Sequence, residues 1–201
     1  MKKINKIIVG THNNGKFKEI CDLIPKNITK ISPKDLNLSS PNEIGSTFEE
    51  NSKIKAVYFT RKTNLITIAD DSGLEIDLLS GAPGIYSSRW GGTTSDFGIA
   101  IEKVYRELKK TKFKWNERKK VFARFVSCIS INWPDGKFIS STGIVEGRIS
   151  ETKKGSNGFG YDPIFIPYGY KKPFGELDAK EKLKIDHRSK AYSKISKIFT
   201  N

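Results

Sequence analysis

Leu65 to Trp90 reads LITIADDSGLEIDLLSGAPGIYSSRW. Leu65–Ala69 is a short apolar run of the kind that forms a buried strand, and Leu74–Leu79 resumes it. Asp70, Asp71, Ser72 and Gly73 stand between the two runs, and this composition predicts a turn or bulge that breaks the strand. Adjacent residues on extended backbone point to opposite faces, so at most one of the two carboxylates need face a given cleft. Two readings stay open at this point: a solvated Asp-Ser-Gly turn, or an aspartate placed to bind a metal ion or a water.

Upstream, Ile4–Gly10 is an apolar run ending in glycine, followed by Phe17, Ile20, Cys21 and Ile24 at helical spacing before Pro25. That is strand, loop, helix. Thr47–Arg61 reads as a second helix, with Thr47 and Glu50 at capping-box spacing and Ile54, Val57, Tyr58 and Arg61 following. Downstream, Asp96 is placed to cap a helix carrying Ile101, Val104, Tyr105 and Leu108 on one face. Val121–Trp133 and Lys137–Ile149 flank Pro134, Asp135 and Gly136, which predicts a long β-hairpin. Ile164–Ile166 is one more short strand, and Ala191, Tyr192, Ile195, Ile198 and Phe199 predict a C-terminal helix from Asp186. βα units first, then a hairpin, then a helix, favour an α/β protein with a mixed rather than a purely parallel sheet. No linker composition forces a domain boundary.

The 201 residues suit one domain or one domain with two lobes. With 36% hydrophobic and 29% charged residues the chain is globular rather than disordered. No apolar run approaches the ~20 residues that a bilayer needs, and the opening MKKINKIIVG is too short an apolar stretch for a secretory signal. The two cysteines, Cys21 and Cys128, form no CxxC and indicate neither a disulfide framework nor a thiolate metal site, so the expected compartment is the cytosol. A net charge of +14 admits a nucleic-acid binder, a protein of anionic small molecules, or simply a lysine-rich surface. The lysines cluster at Lys109, Lys110, Lys112, Lys114, Arg118–Lys120 and Lys171, Lys172.

Four segments carry residue types suited to phosphate chemistry. Thr11–Lys16, THNNGK, lies between the first strand and the first helix, where backbone N–H groups and a lysine can hold a phosphate chain, although the string is not GxxxxGK[ST]. It is equally a polar strand-to-helix turn. Asp70–Gly73 is the second segment. Glu43, Glu49 and Glu50 form the third: Mg²⁺ normally uses one or two carboxylates together with phosphate oxygens and water. Capping explains Glu50 by itself, and a surface carboxylate explains Glu43. The fourth is the pair GFGYDP, Gly158–Pro163, and IDHRS, Ile185–Ser189. Phe159 and Tyr161 offer rings on which a base can stack, and Arg188 offers fixed donors.

Taken in order, VGTHNNGKFKEI, EIGSTFEENSKIKA, IADDSGLEIDLLSGAPGIYSSRW, GFGYDPIF and ELDAKEKLKIDHRSKA resemble the inosine triphosphate pyrophosphatase family, the dITP/XTP diphosphatases. The resemblance spans most of the chain. It implies an α/β fold with a long mixed, twisted β-sheet and flanking helices, built as two lobes around a central nucleotide-binding cleft over residues 1–201, and a homodimer. It implies hydrolysis of ITP, dITP and XTP to the monophosphate and pyrophosphate, with Mg²⁺ as cofactor, in the cytoplasm, and no specific nucleic-acid or membrane partner. Thr11, His12, Asn13, Asn14, Gly15 and Lys16 would hold the triphosphate, with Lys55 and Lys182 nearby and Ser72 against the phosphates. Asp71 would bind the metal and activate water, with Glu43 as the second metal ligand. Phe159, Gly160, Tyr161 and Asp162 would form the base-side wall, and His187 and Arg188 would read the purine.

This chain departs from the family pattern at Asp186, where a serine usually precedes the His-Arg pair, and at PFGEL, where the usual string is closer to TFAEL. The alternatives are a basic nucleic-acid-binding domain without activity and a pyrophosphatase of modified pyrimidine nucleotides.

Overall fold

The computed structural model of the chain describes residues 4–111, 114 and 120–199. Lys112, Arg118 and Lys119 of the lysine-rich stretch lie outside the described residues. The strands are β1 (Lys6–Val9), β2 (Thr29–Ile31), β3 (Thr67–Ile76), β4 (Val121–Asn132), β5 (Phe138–Ile149) and β6 (Phe165–Pro167). The helices are α1 (Asn14–Leu23), α2 (Phe48–Thr63), α3 (Phe97–Lys110), α4 (Ala179–Leu183) and α5 (His187–Ser193), with short 3₁₀ turns between them. The strands form one sheet in the order β2-β1-β3-β4-β5-β6. β1 pairs parallel with β2 and β3, and β5 pairs antiparallel with β6, so the sheet is mixed as the order of sequence patterns predicts.

The chain divides into two compact units: Met1–Asp71, Ser127–Gly143 and His187–Asn201 form one, and Ser72–Val126 and Ile144–Asp186 form the other. The divisions within β3, β4 and β5 interrupt no strand, so no linker composition marks them. Ile7, Val9, Ile20, Ile24, Ile68, Ile129, Ile131 and Tyr192 are among the core residues of the first unit. The core of the second collects Leu74, Ile76, Ile101, Val104, Leu108, Phe125, Tyr161, Phe165 and Phe174.

β3 overturns the expected break. It runs ten residues without interruption through Asp70, Asp71, Ser72 and Gly73. A turn signal in sequence yields here to tertiary partners: the carboxylate of Asp70, fully buried, meets cations and a hydroxyl instead of water. The C-terminal helix is also shorter than its periodicity suggests. α5 ends at Ser193, and Ser196–Phe199 continues as a 3₁₀ turn. Ser193 and Ser196 hydroxyls donate to the Lys190 and Ser193 carbonyls, and the N–H groups of Lys194, Ile195 and Ile198 reach back three residues rather than four.

α2 forms where the capping signal places it: the Thr47 hydroxyl accepts from the Glu50 N–H, while the Glu50 carboxylate accepts from the Ser46 N–H and hydroxyl. Its buried face is Phe48, Asn51, Ser52, Lys55, Ala56, Phe59 and Thr60. The apolar stripe that the sequence makes conspicuous, Ile54, Val57 and Tyr58, is not on that face. The hairpin of β4 and β5 turns through Gly136 at φ 88, with the Trp133 N–H donating to the Lys137 carbonyl. β2 is a three-residue edge strand with no alternation long enough to announce it.

Candidate active site

The first unit concentrates charge where β1 and β3 hand over to their following residues. Gly10 follows β1, and a Cβ there would lie 2.9 Å from the Phe59 ring. Thr11 follows, nearly buried, and its hydroxyl accepts from the Asn13 N–H. Asn13 caps α1, its side chain accepting from the Lys16 N–H at 3.0 Å. His12 tethers this loop to the next segment, Nε2 lying 2.8 Å from the Leu38 carbonyl and Nδ1 2.6 Å from the Ser40 hydroxyl. The Asn14 side-chain oxygen accepts from Lys34. Asn14, Gly15 and Lys16 form the first turn of α1.

The Lys16 ammonium thus stands 3.1 Å from Asp70 and 4.0 Å from Asp71. Lys55, on the buried face of α2, donates to Glu43 at 2.6 Å and to Asp71 at 2.8 Å. On its other side Asp70 accepts from Ser127 of β4 at 2.5 Å and faces the Arg188 guanidinium of α5 at 3.4 Å, and Arg188 also binds Glu19 of α1. Arg188 is 1% exposed. His187, also buried, opens α5. The first unit therefore brings together Lys16, Lys55, Glu43, Asp71 and Arg188 of the residues named from sequence.

The electrostatics divide the two aspartates. Burial alone would raise the Asp70 carboxyl, but Arg188, Lys16 and the Ser127 hydrogen bond outweigh it and hold the group well below the usual carboxylate range. Burial pushes Asp71 up, with Lys55 and Lys16 pulling it back and Glu43 adding to the rise. Burial works against the charge on Lys55, yet Asp71 and Glu43 raise its pKa above the ordinary lysine value, so it stays an ammonium. Asp71 Oδ2 is buried and has no hydrogen-bond partner among the described residues. In this group the carboxylates of Glu19, Glu43, Asp70 and Asp71 interleave with the cations of Lys16, Lys55 and Arg188.

No cluster of three or more His, Cys, Asp or Glu able to hold a metal occurs among the described residues. A Mg²⁺ ion held through one or two carboxylates and completed by phosphate oxygens and water needs no such cluster, and Asp71 Oδ2 with Glu43 fits that donor set.

The second unit carries the GFGYDP loop and Ser72, which follows Asp71 on β3 and is half-buried. Gly158 adopts φ 73, and a Cβ there would lie 2.0 Å from Asp162 Oδ2. That oxygen accepts from the Phe159 N–H at 2.8 Å and from the Lys182 ammonium at 2.6 Å. The ammonium lies 5.1 Å from the centre of the Phe159 ring and 5.5 Å from that of Phe174. Gly160, next in the loop, has φ 68. Tyr161 faces inward: its ring packs edge-on to Phe97 and its hydroxyl donates to the Ser87 carbonyl, so it is a core residue with no face open for stacking. Phe159 is the half-buried ring of this loop.

Sequence reasoning missed Asp70 as the hub, and with it Ser127 and Glu19. One signal was present: Ser127 and Ser130 are hydroxyls inside the otherwise apolar strand VFARFVSCISIN, both fully buried. Glu19 stands three residues after Lys16 on α1, the spacing of helix neighbours, but nothing local ties it to Arg188.

A family model described as the Ham1 family matches residues 7–198. The dITP/XTP pyrophosphatase of Agrobacterium fabrum is 42% identical to this chain over 209 aligned positions, covering 97% of each protein. Among solved structures, a HAM1 protein from Coxiella burnetii has a TM-score of 0.85 at 34% identity, over 98% of this chain and 99% of that one. The Ham1 protein of Staphylococcus aureus has a TM-score of 0.82 at 34% identity, over 97% and 98%.

Proposed function

The chain belongs to the Ham1 family, and from that premise we propose that it hydrolyses ITP, dITP and XTP to the nucleoside monophosphate and pyrophosphate. The observation that carries the reading is the group of Lys16, Lys55, Asp71 and Glu43 in one unit, cations and carboxylates interleaved at 2.6 to 4.0 Å. Such a group suits phosphoryl chemistry, which asks the protein for positioning and charge more than for covalent steps.

Water attacks the α-phosphorus, an O–P bond forms, and the anhydride bond to the β-phosphate breaks with charge gathering on departing pyrophosphate. Lys16 and Lys55 trade carboxylate contacts for phosphate oxygens, and the N–H groups at the start of α1, framed by Thr11, His12, Asn13, Asn14 and Gly15, hold the same chain. Ser72 donates to a phosphate. Asp71 orients the attacking water and accepts its proton.

A triphosphate brings roughly four negative charges to a group that already holds the carboxylates of Asp71 and Glu43, and a divalent cation would offset them. Asp71 and Glu43 would hold Mg²⁺, which when bound would supply that charge and make a water more acidic. Phe159, Gly160 and Asp162 form the base-side wall, with Phe159 as the stacking face, Tyr161 anchoring the loop from the core and Lys182 held by Asp162. His187 and Arg188 read the base: hypoxanthine and xanthine present a carbonyl at C6 where adenine presents an amine, and an arginine only donates. We place the enzyme in the cytoplasm with its nucleotide pool, as a homodimer with no specific nucleic-acid partner. No helix among the described residues is long and apolar enough to cross a membrane.

The test is incubation with ITP, XTP, GTP and ATP across a Mg²⁺ titration with products identified. IMP with pyrophosphate is expected from ITP. IDP with orthophosphate would move the attack to the γ-phosphorus, and tight salt-sensitive binding of RNA or DNA without turnover would replace the enzyme by a nucleic-acid binder.

A further inference from the structure

Glu43 stands on a segment that no helix or strand holds. Residues 38–45 carry no regular secondary structure and lead from the 3₁₀ turn Pro33–Leu36 to the start of α2. Side chains fix them instead, all within the first unit. At the far end the Gly45 N–H donates to the Asn51 side chain at 2.9 Å, and Ser46 donates to Glu50. A Cβ at Gly45 would lie 2.6 Å from Glu50 Cβ, so the backbone there lies close against the first turn of α2.

At the near end the tie is His12, from the turn between β1 and α1. Its Nε2 lies 2.8 Å from the Leu38 carbonyl and its Nδ1 2.6 Å from the Ser40 hydroxyl. The carbonyl only accepts, so Nε2 carries a proton; the hydroxyl donates or accepts, so its bond to Nδ1 holds in either protonation state of the ring. The ring also lies beside Phe59 of α2, 6.1 Å between centres. Glu43 is thus suspended three residues beyond Ser40 and two before Gly45. Lys55 holds its carboxylate at 2.6 Å. When Lys55 turns to a phosphate that bond is given up, and the place of Glu43 then depends on the anchors on either side.

We propose that His12 is a positioning residue whose two ring bonds clamp the Glu43 segment to the turn that holds the triphosphate, so that triphosphate and Mg²⁺ binding are coupled through it. The inference rests on the reading of Glu43 as a metal ligand. The other role open to an imidazole here, direct contact with a phosphate, would take a ring nitrogen from Leu38 or Ser40 and would act on binding with and without metal alike.

Calorimetric titration with the α,β-imido analogue of ITP, in excess EDTA and in excess Mg²⁺, reads the coupling as the ratio of the two affinities. Chelation of Mg²⁺ by the analogue in solution is the same for every variant and cancels between them, and melting curves confirm that each variant is folded. In His12→Ala the gain from Mg²⁺ is expected to fall about tenfold or more, as when a metal ligand loses an outer partner. His12→Gln, whose amide N–H can reach the Leu38 carbonyl, is expected to recover part of it. Ser40→Ala is expected to lower the gain by itself and to change it less than about twofold on top of His12→Ala, since the hydroxyl acts through the ring. Glu43→Gln separates the clamp from the reading beneath it. If that variant keeps the full gain, Glu43 is no metal ligand and the inference falls with the reading. If Glu43→Gln loses the gain while His12→Ala keeps it, the metal reading stands and the clamp is overturned. Equal losses with and without Mg²⁺ in His12→Ala overturn it in favour of a phosphate contact. An unchanged gain in Ser40→Ala overturns it too, even where His12→Ala fails to fold.

Discussion

Asp70 and Asp71 are chain neighbours with different work, and the difference is testable by the same substitution at each. Asp70 holds the charges of Lys16 and Arg188 in a fully buried position. Removing one member of a buried ionic group leaves its partners uncompensated, at a cost of about 3–5 kcal/mol. Asp70→Asn is therefore expected to lower the melting temperature strongly and to reduce turnover through misplacement of Lys16. Asp71→Asn leaves Lys55 paired with Glu43, so the fold is expected to survive while turnover falls on the order of 10²- to 10⁴-fold across the whole Mg²⁺ range. Melting curves beside pyrophosphate release separate the two, and an active Asp71→Asn enzyme would remove Asp71 from the chemistry. Arg188 needs a subtler change, because its guanidinium already serves Glu19 and Asp70. Arg188→Lys keeps the charge and loses the planar fork. The variant is expected to fold and to lose at least about tenfold of its preference for ITP over ATP, as befits a lost charged hydrogen bond. Equal losses on both nucleotides would mean that Arg188 serves Asp70 alone.

At the scale of elements, one carboxylate oxygen of Asp162 joins the Phe159 N–H and the Lys182 ammonium in the GFGYDP loop, beside the Tyr161 anchor to Ser87. Gly158→Ala forces a left-handed φ on alanine, at about 1–2 kcal/mol, and drives its Cβ into Asp162 Oδ2. Asp162 then releases the Phe159 N–H or Lys182, and KM for ITP is expected to rise more than kcat falls; unchanged kinetics would show that the loop does not shape the base side. Most of the elements were legible in the sequence. α1, α2, α3, β1, β4 and β5 follow from apolar spacing, caps and the Pro-Asp-Gly turn, all of which are local signals. β3 was misread as broken at Asp70–Gly73 because its polar residues are satisfied by Lys16 from α1, Ser127 from β4 and Arg188 from α5, partners distant in sequence. Spacing found α2 and not its orientation: its inner face carries Asn51, Ser52, Lys55 and Thr60, so polarity pointed the wrong way. Ser52 meets Ser130 there at 2.7 Å, a pair that no local pattern announces. The candidate site was legible as a set of motifs, and the Asp70 hub that ties Lys16 to Arg188 was not.

For the whole molecule, a charge of +14 has a consequence for rate. The substrate is an anion, and a magnesium-bound triphosphate remains one, so the field of the protein draws it in over distances set by the Debye length, about 30 Å at 0.01 M salt and about 8 Å at 0.15 M. Association steered in this way falls steeply with ionic strength, whereas the chemical step proceeds at short range among buried groups that salt screens weakly. kcat/KM for ITP is therefore expected to drop about tenfold between those salt concentrations, with kcat changing far less, when free Mg²⁺ is held constant. Little of this effect belongs to Lys16, mostly buried against Asp70, and most of it to exposed lysines such as Lys171 and Lys172. Lys171→Glu with Lys172→Glu separates the two: it leaves the buried group intact and is expected to lower kcat/KM at low salt and to flatten its salt dependence. A kcat/KM indifferent to salt in the wild type would make the lysines a solvated surface and leave the capture of substrate to the site alone.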